Sequence, residues 1–236
     1  MSGRSGPDPL LVASSAHVFV AELADPVLDD DDRHHLERVL RLRDGEAVTA
    51  SDGAGGWLPC RFSTGGVLRP DGEIRTDAAP DYEISVAFAP PKGDRPELVV
   101  QKLTELGADR IVPLRCDRGV VHWDGARLDK QMVRLARIVR EAAMQSRRTR
   151  LPVLEAPTAF AIVADRPGAV LAAPGGGRLR PGPGPFLVGP EGGWSEDELR
   201  RPLSRVGLGD TVLRAETAAI AVCALAVSAR ADLVGD

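Results

Sequence analysis

The stretch EISVAFAPPKGDRPELVVQKLTELGADRIVPL, residues 83–114, decides the fold class. Glu83 to Ala89 is a β-branched, apolar run that reads as a strand. Asp94 stands where a helix cap belongs, with Pro96 early in the helix and Glu97 three residues after the cap. Val99, Leu103 and Leu106 share one helical face, and Gly107 ends it. Arg110 to Leu114 is the next strand. Two apolar strands joined by a helix of this length predict a parallel β-α-β unit, hence an α/β fold.

Downstream, Leu128, Met132, Leu135, Val139 and Ala142 recur at helical spacing, which predicts a helix from about Arg127 to Ser146. Lys130, Arg134 and Arg137 lie on its opposite face. Residues 175–185, GGGRLRPGPGP, predict a loop, because glycine and proline disfavour both helix and strand. Phe186 to Val188 is a short buried strand, and Ser195 with Glu198 forms a capping box for a helix that Pro202 kinks or ends. Val212-Leu213 reads as a strand. Glu216 to Asp232 reads as a helix apolar on nearly every side, which predicts burial all round and a subunit interface.

Upstream the rhythm differs. Met1 to Pro9 is a polar tail. Val18 to Val20 is a short strand, and Asp32 is read as the cap of a helix reaching about Leu42. Strands at 46–50 and 57–63, punctuated by Asp44-Gly45, Asp52 to Gly56, Gly65-Gly66 and Asp71-Gly72, predict a small barrel over residues 1–80. Residues 81–236 form the α/β domain.

Composition bounds the function. Hydrophobic residues are 43% of the 236 and aromatics only 4%, so Leu, Val and Ala must build the core. The longest apolar run, Ala218 to Val227, has ten residues, against about 20 for a membrane span. Cys60, Cys116 and Cys223 are far apart and odd in number, which fits a reducing cytoplasm. His17, His34, His35 and His122 have no metal-ligand spacing, so no metal is expected. The net charge of −4 hides a basic run: eight of the residues from Arg127 to Arg150 are basic, opposed only by Asp129 and Glu141. Arg33, Arg38, Arg41 and Arg43 form a second basic cluster. Such patches bind phosphates despite a negative total.

Two segments carry the chemistry. Gly189-Pro190-Glu191-Gly192-Gly193-Trp194-Ser195-Glu196 leaves a strand and opens a helix, and its glycines let a ligand approach the backbone. It lacks the Lys-Ser/Thr of a P-loop and the GxGxxG spacing, which disfavours an ATPase or a dinucleotide-binding dehydrogenase. Leu213-Arg214-Ala215-Glu216-Thr217-Ala218 also precedes a helix. Loops at the carboxyl ends of parallel strands are where α/β folds bind ligands.

These segments, taken with Pro91 to Arg95, Gln101 to Gly107, His35-Leu36, Arg38 to Arg41, Glu141 to Ala143 and Gln145-Ser146, resemble the ribosomal small-subunit RNA uridine-N3 methyltransferases. The likeness covers nearly the whole chain in the expected order. It departs from the family pattern at Asp210-Thr211, where Pro-Arg is usual, at Ala215 for Thr, and at Met144 for Glu.

The resemblance implies a SPOUT-class enzyme: a trefoil-knotted α/β methyltransferase domain preceded by a PUA-like β-barrel that binds RNA. It implies a homodimer acting on 16S rRNA within the small subunit, with S-adenosylmethionine as methyl donor and no metal. The cofactor is expected against Leu171, Ala172, Pro174, Gly189, Pro190, Glu191, Gly192, Gly193, Leu208, Leu213, Arg214, Thr217 and Ala218. Uracil N3 carries a proton at neutral pH, and its loss spreads negative charge onto the flanking carbonyls. Arg214 is the cation expected to stabilise that charge, and either Glu191 or Glu216 accepts the proton or orients Arg214. Arg33, Arg38, Arg41, Arg43, Lys92, Lys130, Arg134, Arg137 and Arg148 are the expected RNA contacts. Competing readings are a knot methyltransferase acting on another rRNA or tRNA position, and a non-catalytic RNA-binding assembly factor.

Overall fold

In the computed structural model, which describes residues 8–180 and 182–233, the chain divides into two units. Residues up to Pro80 together with Arg140–Leu151 make the first, and Asp81–Val139 with Pro152 onward make the second. Of the tail expected over Met1 to Pro9, residues 1–7 lie outside the described ones. Asp8 accepts a hydrogen bond from the Leu10 amide at 2.9 Å and caps a short helix, α1 (Pro9–Ala13).

The first unit is a mixed sheet. β1 (Ala16–Phe19) runs parallel to β2 (Ala47–Ser51), β2 pairs antiparallel with β3 (Gly56–Ser63), and β3 pairs with β4 (Val67–Pro70) and β5 (Arg75–Thr76). Alternation sends Ala16, Val18, Val48, Ala50, Leu58 and Phe62 into one apolar core. His17, Thr49 and Ser51 face the other way, yet they too are buried. Residues 146–151 cover them. Ser51 Oγ donates to the Thr149 carbonyl at 2.9 Å, His17 Nε2 lies 2.9 Å from the Arg148 carbonyl, and Arg147 donates to the Ser14 carbonyl at 2.9 Å. No pairing joins β1 to β4 among the described residues; this strap closes the second face instead.

The helix expected to start at Asp32 starts earlier. Asp29 is its cap, accepting from the Asp32 amide at 2.7 Å, and α2 spans Asp30–His34. A π-helical turn, His35–Val39, follows and turns Leu36 inward. Asp32 is a buried helical residue paired with Arg140. In a run of four aspartates the first meets the free amides of the helix start, and the fourth falls on the inward face.

The second unit contains the expected β-α-β element. β6 (Ile84–Phe88) leads to α3 (Arg95–Leu106), which ends at Gly107 with φ +102°, and then to β7 (Arg110–Arg115), parallel to β6. α4 (Gly125–Gln145), β8 (Val153–Leu154), β9 (Thr158–Ala159), α5 (Phe160–Ala164), β10 (Val170–Gly177), β11 (Gly184–Val188), α6 (Glu196–Leu199), β12 (Ser204–Val206) and α7 (Ala215–Arg230) follow. The sheet order is β12-β10-β11-β6-β7-β8, every neighbouring pair is parallel, and β9 also pairs with β7. β11 is thus wedged between β6 and β10. Ala87, Val112, Leu171 and Leu187 form one core with Phe160 and Val163 of α5, while α7 packs on α3, β6 and β11.

Two expectations fail here. Residues 175–177 and 184–185 are strand, not loop. Glycine permits this because two backbones come too close for a side chain: a Cβ on Gly176 would stand 2.4 Å from the Val206 carbonyl carbon. Val212-Leu213 is not a strand; Val212 is 91% exposed in a loop, and the edge strand is Ser204–Val206, which begins just after Pro202. The apolar α7 buries Ala219, Val222, Cys223 and Ala226 within the chain, whereas Leu225 is 40% exposed.

Burial pushes the His17 imidazole from 6.5 down to about 4. The neutral ring suits its site: Nε2–H donates to the Arg148 carbonyl, and Nδ1 accepts from Thr49 Oγ1 at 2.8 Å. Between those pH values the unfolded chain binds the extra proton and the folded chain does not. Stability is therefore full above pH 6.5 and falls as pH drops toward 4, by up to about 3 kcal/mol. Denaturant unfolding across that range should show the loss, and His17→Gln should flatten it; an unchanged pH slope in the variant would refute this account.

Candidate active site

The carboxyl ends of β6 and β11 lie side by side, the end of β11 level with Ala172 inside β10, and the site is built there. After Val188 the chain turns at Gly189, where a Cβ would come within 2.9 Å of the Trp194 ring. Only glycine lets the backbone pass beneath that ring. Trp194 Nε1 donates to the Ala172 carbonyl at 2.9 Å, tying this loop to β10. Gly193, at φ +69°, closes a turn by donating to the Pro190 carbonyl at 2.8 Å. The capping box at Ser195 and Glu198 forms as the sequence predicts. Glu198 also accepts from the Asp117 amide at 3.0 Å, so the loop is held at the end of β7 as well.

A cavity opens between this loop, residues 172–174 of β10 and residues from the 208–218 stretch. Of the residues expected to hold a cofactor, Ala172, Pro174, Gly189, Pro190, Glu191, Gly193, Leu208, Leu213 and Ala218 line it. Leu171 instead lies in the core, 1% exposed, because its side chain points to the opposite face of β10. Gly192, Arg214 and Thr217 do not line the cavity, whereas Ala173, Trp194, Gly209 and Thr211 do. The walls are small apolar side chains and main chain, a surface that binds through shape and backbone groups.

Charge gathers at one end. Arg95, the first residue of α3, pairs with Glu191 at 2.7 Å and approaches Glu216 at 3.6 Å. Glu191 is half-exposed on the cavity wall. Glu216 is buried, and its Oε2 has no hydrogen-bond partner. Arg95, not Arg214, is therefore the cation between the two carboxylates. Arg214 is an exposed residue at the N-cap of α7, and its carbonyl accepts from the Ala218 amide at 2.8 Å. Arg95 stands inside a segment the sequence singles out, but nothing in its spacing reveals that α3 begins beside residues 191 and 216.

The expected RNA contacts are dispersed. Arg33, paired with Asp30, and Arg38, Arg41 and Arg43 are exposed on the first unit. In the second unit Lys92, Lys130, Arg134 and Arg137 are exposed, with Arg134 3.3 Å from Glu97. Arg148 is partly buried in the strap, where its carbonyl serves His17. Several basic residues of the 127–150 run are committed internally. Arg140 binds Asp32 and the Phe19 carbonyl, Arg147 the Ser14 carbonyl, and Arg150 the Asp77 carbonyl at 2.7 Å.

Comparison with known proteins gives the family. Residues 78–227 match the RNA methyltransferase domain family, and residues 28–64 match the RNA methyltransferase PUA domain. The chain is 35% identical over 221 residues to the ribosomal RNA small subunit methyltransferase E of Mycobacterium bovis, covering 82% of each chain. It is 28% identical over 219 residues to the protein of that name from Bacillus subtilis, covering 78% of this chain and 82% of that one. A methyltransferase from Legionella pneumophila, solved with SAM bound, superposes with a TM-score of 0.79 at 26% identity, over 90% of this chain and 96% of that one. The ribosomal RNA small subunit methyltransferase E of Neisseria gonorrhoeae, bound to S-adenosylmethionine, gives 0.74 at 26% identity, over 89% and 95%. A strand order that brings three loops together, and a family match spanning most of the chain, lead to one conclusion: this protein belongs to the RNA methyltransferase family that carries a PUA domain ahead of its catalytic domain.

Proposed function

We propose that the protein transfers a methyl group from S-adenosylmethionine to N3 of a uridine in 16S rRNA, in the cytoplasm and as a homodimer. The observation that carries this reading is the cavity walled by residues 172–174, 189–194 and 208–218, with the Arg95–Glu191–Glu216 cluster at its edge. The trefoil threading expected of a SPOUT domain belongs to the same proposal, as do the RNA-binding role of residues 1–80 and the catalytic role of 81–236.

The cavity suits the cofactor. Gly189 lets the loop run against the Trp194 ring where a Cβ would push it away, and the main chain of 189–193 and 208–213 offers polar groups to an adenosine. Ala172, Pro174, Gly189, Pro190, Gly193, Leu208, Leu213 and Ala218 would hold it, with Leu171, Gly192, Arg214 and Thr217 supporting them from behind or beside. When bound, S-adenosylmethionine supplies a methyl group on a positively charged sulfur.

The chain's own residues do the rest. Glu191, on the cavity wall and half-exposed, accepts the uridine N3 proton. Glu216 is buried and holds Arg95 in place. Arg95 and Arg214 offer positive charge to the uracil carbonyls as negative charge builds on them. Arg33, Arg38, Arg41, Arg43, Lys92, Lys130, Arg134, Arg137 and Arg148 meet the RNA backbone. The exposed side of α7, at Leu225, is offered to the second subunit.

Deleting the gene should remove one 3-methyluridine from small-subunit rRNA, read by mass spectrometry of digested RNA; an intact modification refutes the assignment. Calorimetry should show S-adenosylmethionine binding that Gly189→Ala weakens by tenfold or more, roughly the 1–3 kcal/mol cost of overpacking. Wild-type affinity in that variant would place the cofactor elsewhere. Glu191→Gln should lower kcat by about 10²–10³, and wild-type turnover would remove Glu191 from the reaction.

A further inference from the structure

A second cavity in the α/β unit, of about 470 Å³, takes no part in the methyl transfer above, although Lys92 and Arg134 on its wall are among the proposed RNA contacts. It lies between the start of α3, the first turns of α4 and residues 120–123. Lys92, His122 and Arg127 line it, all three are exposed, and none of their side chains has a hydrogen bond or ion pair among the described residues. Trp123 adds an aromatic wall, 9% exposed.

Its floor is a carboxylate. Glu97 Oε1 accepts from Gln131 Nε2 at 2.9 Å and lies 3.3 Å from Arg134 Nη1. Glu97 Oε2 is buried and has no partner. A buried carboxylate oxygen left without a donor is costly, and a ligand N–H recovers that cost. Cations at the mouth and a lone acceptor at the base are an unusual pairing. A simple phosphate would meet the carboxylate's repulsion, and a simple cation would meet Lys92 and Arg127. A nucleotide satisfies both ends, with its phosphate on the basic rim and a base amine on the carboxylate.

The geometry points to an RNA-nucleotide subsite here, for a residue whose base carries an exocyclic amine: guanine, adenine or cytosine, but not uracil. Glu97 Oε2 accepts from the amine, Lys92 and Arg127 hold the phosphate, and His122 with Trp123 flanks the base. The inference rests on the methyl-transfer reading, since it treats the bound nucleotide as a neighbour of the target uridine. Lys92 is three residues from Arg95, which is at most about 11 Å of extended chain, so one RNA strand spans both sites.

The test titrates GMP, AMP, CMP and UMP, each up to about 20 mM, into the full-length protein by NMR chemical-shift perturbation. That range reaches the weakest useful affinities. UMP should bind most weakly, by about tenfold against the best of the others, the worth of one charge-assisted hydrogen bond. In Glu97→Gln the amide oxygen stays with Arg134 and its NH2 group turns to the cavity, so UMP should no longer be the weakest. Lys92→Ala/Arg127→Ala, altered only at exposed positions, should weaken all four. No nucleotide binding, equal affinities, or an order unchanged in Glu97→Gln overturns the subsite. S-adenosylmethionine affinity of the wild type is measured alongside: its absence sinks the methyl-transfer reading, and its presence beside a negative nucleotide result sinks the subsite alone.

Discussion

The insertion of Gly184–Val188 between Ile84–Phe88 and Val170–Ala172 is the constraint on which the second unit depends. A central parallel strand must satisfy its backbone on both edges and bury both faces. Five consecutive pairs with β6 and three with β10 meet the first demand. Phe186, Leu187 and Val188, all buried, meet the second. Once that strand is seated, the chain must leave at Gly189 between the ends of two other strands. The cavity is the consequence. Its loop is fixed by three polar ties, to the Ala172 carbonyl, to the Asp117 amide and across the turn from Pro190 to Gly193.

The first unit solves a different problem. Its sheet has one apolar face and one polar face, and both are buried. A polar face is tolerated in the interior only if its groups are paired. The backbone of residues 148–149, far along the sequence, supplies the partners for His17 and Ser51. Arg147 adopts φ +57° while serving the Ser14 and Ser15 carbonyls. Arg140 neutralises Asp32 and lies over the Phe19 ring, 5.5 Å from its centre. Arginine suits such positions because its planar fork serves several acceptors at once.

Much of the charge in the first unit is therefore structural. The basic run from Arg127 to Arg150 reads in sequence as a phosphate-binding stripe. In the fold, Arg140, Arg147 and Arg150 are bound to carbonyls and a carboxylate of the first unit. Lys130 and Arg127 remain at the surface of the second. The same holds at the edge of the cavity, where Arg95 rather than Arg214 lies between Glu191 and Glu216.

The sequence by itself determined the elements whose signals are local. The β-α-β unit over 83–114, the long α4, the capping box at Ser195 and the apolar α7 follow from periodicity, caps and breakers, which act within a few residues. The turn at Gly189–Gly193 was legible for the same reason, since its glycines meet a local backbone demand. Tertiary structure alone decided the rest. Gly176 stands in a strand because a distant backbone, Val206–Gly207, comes too close to it for a side chain. Asp32 is an ion-pair partner because Arg140 arrives from over a hundred residues away. Arg95 joins Glu191 and Glu216 because the ends of β6 and β11 are neighbours in the sheet. Strand order and long-range pairing leave no local mark on a chain, so the identity of each long-range partner was settled only when the strands of each sheet paired.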